Sequence, residues 1–248
     1  MSEPKEEQPN QIVEGASLDP LGYFLGLQFH PTIKLDKRKG LEFAAKMADY
    51  LDPQGMKMEA HRWMFSQQLG GTPKGKLHVV IQSSQLEVQA AFPTLPQEWF
   101  ESRYGAILET FVKVFEPTIL MGSSAMITGT LQIDGDARAF LAERLMGFQP
   151  EKLAALDRPI HLFGVRLFSP QFAFKKTGKK GKALSVDWQV EIKAESLMDD
   201  PTKLFVQADA DWPIPREWNK KASEDVIGRL AVVSDYIQKK IVPFLRQT

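Results

Sequence analysis

The residues with most chemical potential are two acidic pairs, Asp209-Ala-Asp211 and Asp134-Gly-Asp136. On a strand, a two-residue spacing puts Asp209 and Asp211 on one face, and Asp187 or Glu191 joins them if the neighbouring strand is adjacent. Hard cations require several oxygens converging on one point; without that convergence the same acids form a hydrated sheet face. Asp134-Gly-Asp136 reads as a turn followed by a helix N-cap at Asp136. The histidines (His30, His61, His78 and His161) all fall on strand-like segments, with no ligand spacing and no evident partner for general-base work. Trp99 and Trp218 each follow Pro-x-Glu. As a matched pair they would flank a ligand cleft; as packing residues they would seat a helix N-terminus on a sheet. The turn Lys175 to Lys182 carries five lysines, read either as an anion contact or as a hairpin tip kept soluble by charge.

The binding candidates are therefore Asp187, Glu191, Asp209, Asp211, Trp99 and Trp218. No catalytic set, metal or cofactor is assigned. The chain contains no P-loop, Gly-x-Gly-x-x-Gly, Gly-x-Ser-x-Gly or kinase signature. It has 248 residues and no cysteine, which excludes disulfides, thiolate metal sites and a cysteine nucleophile. Lysine plus arginine and aspartate plus glutamate balance at 31 each, so no overall basic footprint for nucleic acid exists.

The elements that must position these residues recur. VQAAFPTLPQEW (Val88 to Trp99) parallels VQADADWPIPREW (Val206 to Trp218). Upstream, GTPKGKLHV (Gly71 to Val79) parallels TGKKGKALSV (Thr177 to Val186). Leu27-Gln28-Phe29 and Leu131-Gln132-Ile133 each precede an alanine-rich helix, LEFAAKMADYL and ARAFLAERLM. Two further helical patterns end at Val114-Phe115-Glu116-Pro117 and Lys240-Ile241-Val242-Pro243. Four matches in one order point to tandem duplication.

The first half reads as a strand (Tyr23 to His30), a helix (Leu41 to Leu51), strands over Met58 to Leu69, Leu77 to Gln82 and Leu86 to Phe92, and a helix from Pro96 to Phe115. The second reads as a strand (Ala125 to Asp134), a helix (Asp136 to Met146), strands over Ile160 to Phe168, Val186 to Leu197 and Leu204 to Trp212, and a helix from Ser223 to Arg246. The expected fold is α+β: an internally duplicated β-α-β-β-β-α unit with pseudo-twofold symmetry, forming one curved antiparallel sheet or two sheets, with helices on one face. Residues 1–16 are expected as a flexible tail, 17–118 as the first half and 119–248 as the second, packed as one unit.

Strand alternation predicts a covered and an open face. Val186, Trp188, Val190, Ile192 and Ala194 oppose Asp187, Gln189, Glu191, Lys193 and Glu195. In element order each half is similar to a half of the TATA-binding protein, a resemblance of topology that implies a saddle-like sheet. Its function does not carry over, because gripping DNA needs a basic or apolar open face. Here Asp187, Glu191, Glu195, Asp209 and Asp211 stand against Lys193 alone. A double hot-dog enzyme is a related arrangement, but its halves end in strands and these end in long helices.

Two functional classes follow. One is a non-catalytic binding or assembly protein for an unidentified protein or small molecule, with homodimerisation compatible. The other is an enzyme or small-ligand binder with a pocket between sheet and helices where the halves meet. The polar N-terminus carries no secretory signal and no apolar run is long enough for a membrane span, so the expected location is cytoplasmic, without membrane or nucleic-acid partners.

Overall fold

The computed structural model describes residues 10–70, 74–92, 95–148, 163–176, 182–213 and 215–247, with strand residues 52–54, 170–176 and 182–187 described by backbone alone. At its centre, β2 (Asp19–His30) pairs with β7 (Ile119–Asp134). Outward from β2 run β6 (Gln85–Ala91), β5 (Lys76–Gln82), β4 (Arg62–Gln68) and the edge strand β3 (Asp52–Met58). Outward from β7 run β10 (Lys203–Trp212), β9 (Lys182–Ser196) and the edge strand β8 (Gly164–Lys176). Short strands β1 (Gln11–Ile12) and β11 (Arg216–Glu217) pair with the two ends of β7. Among the described residues every pairing is antiparallel, and the eleven strands belong to one sheet. Of the two arrangements open to the sequence, the single sheet is the one found.

Period-two alternation decides which face is covered. Leu25, Leu27 and Phe29 on β2, Leu77, Val79 and Ile81 on β5, and Leu204, Val206, Ala208 and Ala210 on β10 are all buried. Helices supply the other wall of this core, in four helical stretches among the described residues. The first is α1 (Lys37–Lys46), capped by Asp36, whose side chain accepts from the Arg38 N–H at 2.7 Å. The second is α2 (Gln97–Phe115), which buries Phe100, Tyr104, Ile107, Leu108, Phe111 and Phe115. The third is α3 (Ala137–Ala139), continuing into a π-helical turn, Phe140–Leu145. The C-terminal stretch comprises α4 (Lys220–Ile227), α5 (Arg229–Tyr236), a π-helical turn (Ile237–Ile241) and α6 (Val242–Gln247). Aromatic rings join the layers. Phe29 meets Phe111 with ring centroids 5.1 Å apart, Tyr23 meets Phe100 at 5.6 Å, and Trp188 meets Tyr236 edge-on at 5.5 Å.

Several boundaries differ from expectation, each for a local reason. The strand expected over Met58 to Leu69 is the hairpin β3–β4, closed by a bond from Glu59 N–H to the Arg62 carbonyl at 2.9 Å. No glycine or proline marks that turn. Helix α1 begins four residues before Leu41 and ends at Lys46, because the Asp36 cap starts it among lysines that carry no apolar signal. The last helix starts at Lys220, where the Asn219 side chain accepts from the Ala222 N–H at 2.9 Å. Pro243 does not stop it. The π-helical turn just before Pro243 absorbs the missing N–H donor.

Of the segment read as a tail, residues 10–16 are held in place. Ile12 is buried beside β7, Asn10 Oδ1 accepts from the Asp136 N–H at 2.9 Å, and Arg246 Nη2 donates to the Ala16 carbonyl at 2.8 Å.

The register also fixes where the repeated motifs fall. Leu27 pairs with Leu86 on β6, two residues before Val88 of the first Val-Gln-Ala. Leu131 pairs with Leu204 on β10, two residues before Val206 of the second.

Candidate binding face of the sheet

The sheet face away from the helices carries the candidates Glu191, Asp209 and Asp211. Across five neighbouring strands one row of paired residues reads Glu87, Gly26, Ser124, Asp211 and Gln189, on β6, β2, β7, β10 and β9. The next row on one side contains Gln85, Gln28 and Gly122. The next on the other side contains Gln89, Phe24, Met126, Asp209 and Glu191. The small residues at the middle of the first row leave a trough of about 350 Å³. Gly26 keeps this point open, and any side chain there would have to displace its neighbours. A β-carbon added at Gly26 would lie 2.8 Å from Ser124 Oγ and 2.9 Å from Phe24 Cζ, since the Phe24 ring leans along the strand over the glycine.

The chemistry of the trough is that of amides and acids beside an aromatic ring. Gln28, Gln85, Gln189 and Ser124 offer donors and acceptors, and Glu87 and Asp211 flank the Gly26–Ser124 centre of its row, with Gln189 beyond Asp211. Among the described residues, no lysine, arginine or histidine lines it. Asp211 Oδ2 accepts from Gln189 Nε2 at 3.4 Å, and neither Glu87 nor Asp211 is in an ion pair among the described residues.

Of the six candidates read from the sequence, the structure brings Asp209, Asp211 and Glu191 together. Asp209 is the cross-strand partner of Glu191 and shares its face with Asp211. Burial, then the nearby Asp211 and Glu191 carboxylates, push the Asp209 carboxyl up to about 6. Glu191 is bound by Arg166 Nε at 2.7 Å. Among the described residues, no group of three His, Asp or Glu side chains is arranged to hold a metal ion. Asp187 lies on β9 two residues before Gln189, where the pairing with β10 begins; its side chain lies outside the described residues.

Trp99 and Trp218 are not brought together. Trp99 sits in the first turn of α2, where the Arg103 guanidinium lies 5.4 Å from its ring and 4.6 Å from that of Tyr50. Trp218 lies beyond the other end of α2, its N–H donating to the Thr118 carbonyl at 2.8 Å. The helix from Trp99 to Phe115 separates them by roughly 24 Å at about 1.5 Å per residue. Trp218 instead lines a second recess, a groove of about 920 Å³ between α2 and α4, with Leu108, Val112 and Ile227. Its indole nitrogen is buried without a hydrogen-bond partner.

No family model matches this chain, and no curated protein matches it. Among solved structures, it aligns with a conserved protein of unknown function with a hot dog fold from Alicyclobacillus acidocaldarius. That alignment has 8% identity over 80% of each chain and a TM-score of 0.16, a likeness that carries no argument.

The remaining candidates fall outside the trough. Asp136 caps α3, accepting from the Arg138 N–H at 2.8 Å, and the Arg138 side chain holds its carboxyl below the usual range. The Asp134-Gly-Asp136 segment is thus a turn and a cap. His30 ends β2, His61 lies between β3 and β4, and His78 is on β5; none lines the trough. His161 lies outside the described residues, as do 177–181 of the lysine-rich turn. Sequence reasoning singled out Asp211 but missed Glu87, Gln28, Gln85 and Gln189 as a site. Their alternation with apolar residues was the available signal, but only the strand register places them side by side.

Proposed function

We propose that this chain is a non-catalytic binding protein whose ligand or partner seats on the open face of the sheet, over the row Glu87–Gly26–Ser124–Asp211–Gln189. The observation that carries this reading is the trough itself, a polar depression with two uncompensated carboxylates at the centre of an otherwise continuous strand surface. Proteins place such concavities where ligands bind, with a few oriented polar groups beside apolar surface. Its acidic lining disfavours phosphate and hence nucleic acid.

The scaffold under this face is read as two tandem copies, residues 17–118 and 119–248, about a pseudo-twofold axis through the paired Tyr23 and Ile127. Two observations support the duplication. In both halves the first strand lies at the sheet centre and the last strand returns beside it. The Leu-Gln and Val-Gln-Ala motifs also stand in the same relative register in both halves, the leucine opposite the residue two before the valine. Under that correspondence Thr130 and Phe205, themselves paired, stand where Gly26 and Glu87 stand in the first copy. Among the described residues, the second copy therefore does not reproduce the open Gly26 position of the trough. No described helix is long and apolar enough to cross a membrane. A cytoplasmic location and association into a homodimer complete the proposal.

A second reading, a small-ligand binder or enzyme using a pocket at the junction of the halves, is favoured by the α2–α4 groove with its unpartnered Trp218 indole. One experiment separates the two. A small-metabolite library is screened by thermal shift against the wild type and Ser124→Trp, which fills the trough without touching the helices. A ligand that stabilises the wild type and not the variant supports the open-face site. A ligand that stabilises both equally, or none acting on the wild type, overturns it.

A further inference from the structure

We infer that the trough takes a linear alkyl diammonium ion, one ammonium at Glu87 and the other at Asp211. The inference rests on the open-face reading and adds the ligand's chemical class. The two carboxylates occupy one row of the sheet, three strand spacings apart, which is roughly 14 Å between α-carbons at about 4.8 Å per strand. Among the described residues, Glu191 on this face pairs with Arg166 and Glu195 with Lys193 at 2.8 Å, while Asp209, which has no cation, does not line the trough. Glu87 and Asp211 line it and have no cation among those residues. Between them, the Gly26 backbone and the Phe24 ring provide a strip for methylene groups, and Gln28 and Gln85 offer amide oxygens to ammonium N–H donors. A single metal ion does not suit the site. Its volume of about 350 Å³ far exceeds one ion, and the two carboxylates stand too far apart to converge on one centre.

The test is calorimetric titration of the full chain with α,ω-diamines from 1,3-diaminopropane to 1,8-diaminooctane, with 1-aminohexane and 1,6-hexanediol as single-charge and neutral controls. The expected result is saturable binding that strengthens with chain length to an optimum. The monoamine should bind about fivefold more weakly and the diol not at all. Glu87→Gln and Asp211→Asn should each reduce the best diamine to the level of the monoamine, and Glu143→Gln, on the far helix, should leave it unchanged. Absence of saturable binding, or equal binding by the wild type and both carboxamide variants, overturns the inference. If Ser124→Trp abolishes diamine binding while Glu87→Gln and Asp211→Asn do not, the open-face site stands and the cationic class is wrong. If Ser124→Trp also leaves binding intact, both fall.

Discussion

Asp209 and Glu191 face each other across β10 and β9 as a cross-strand pair of like charges. Directly opposed like charges destabilise a sheet. The pair is tolerated because Arg166 neutralises Glu191 from the edge strand and Asp209 yields, its carboxyl being pushed up to about 6 by burial and its acidic neighbours.

The sign of the resulting pH dependence follows from that shift. An unfolded aspartate titrates near 3.9, so the fold favours the protonated form. The stability this group contributes is fully present below about pH 4 and is lost as pH rises through 6. Asp209→Asn should therefore stabilise the protein at pH 7 to 8 by about 1 kcal/mol, a value reduced for water screening at this half-buried site. At pH 4 it should have little effect. Urea denaturation of both proteins from pH 4 to 8 measures the difference; a variant less stable than the wild type at pH 7.5 would contradict it.

On the covered face, the Arg229 guanidinium lies 4.4 Å from the Trp212 ring centroid, and Trp212 stacks on Trp188 at 5.8 Å. Arg229 is buried, at 9% exposure, so its planar cation is held in a low-dielectric setting where such contacts are strong. Lysine retains the charge but not the flat stacking surface. Arg229→Lys should cost about 1 kcal/mol and Arg229→Ala about 2–3 kcal/mol, read from urea midpoints at constant slope. Equal losses in the two variants would show that the planar group has no special role.

Helix α2 ends with Glu116 in the left-handed region, at φ 52°, its N–H bonded to the Val112 carbonyl and Pro117 barring continuation. A side chain is disfavoured in that conformation by about 1 kcal/mol or more. Glu116→Gly should raise stability by about 0.5–1 kcal/mol, net of the entropy glycine adds to the unfolded chain. Glu116→Ala should not. Thermal unfolding of the three proteins distinguishes them.

Much of the scaffold can be read from residue order, and the exceptions have physical causes. Val88 and Val206 begin identical tripeptides, and alternation around them assigns the buried face of β6 and β10 correctly. The extension of β7 back to Ile119 escapes such reading because Met121-Gly-Ser-Ser lacks apolar alternation; pairing with β2 and β11 makes it a strand. Ile12 and Val13 are a lone apolar pair in a polar segment, and the flank of β7 gives Ile12 somewhere to bury while Val13 stays exposed. The trough is still less visible. Glu87, Gly26, Ser124, Asp211 and Gln189 are scattered over 164 positions of sequence (26 to 189) plus Asp211 beyond them. They become neighbours only through four successive strand registers. Asp209 and Asp211 were conspicuous because they are two apart, yet only Asp211 lines the trough.

The most direct test of the binding face is an NMR titration of ¹⁵N-labelled protein with 1,6-diaminohexane. The trough predicts saturable shifts of the Gln28, Gln85 and Gln189 side-chain amides and of the Gly26 N–H, all lost in Ser124→Trp. Shifts confined to the Trp218 indole N–H and the α2–α4 groove, or no saturable shift at all, would contradict it.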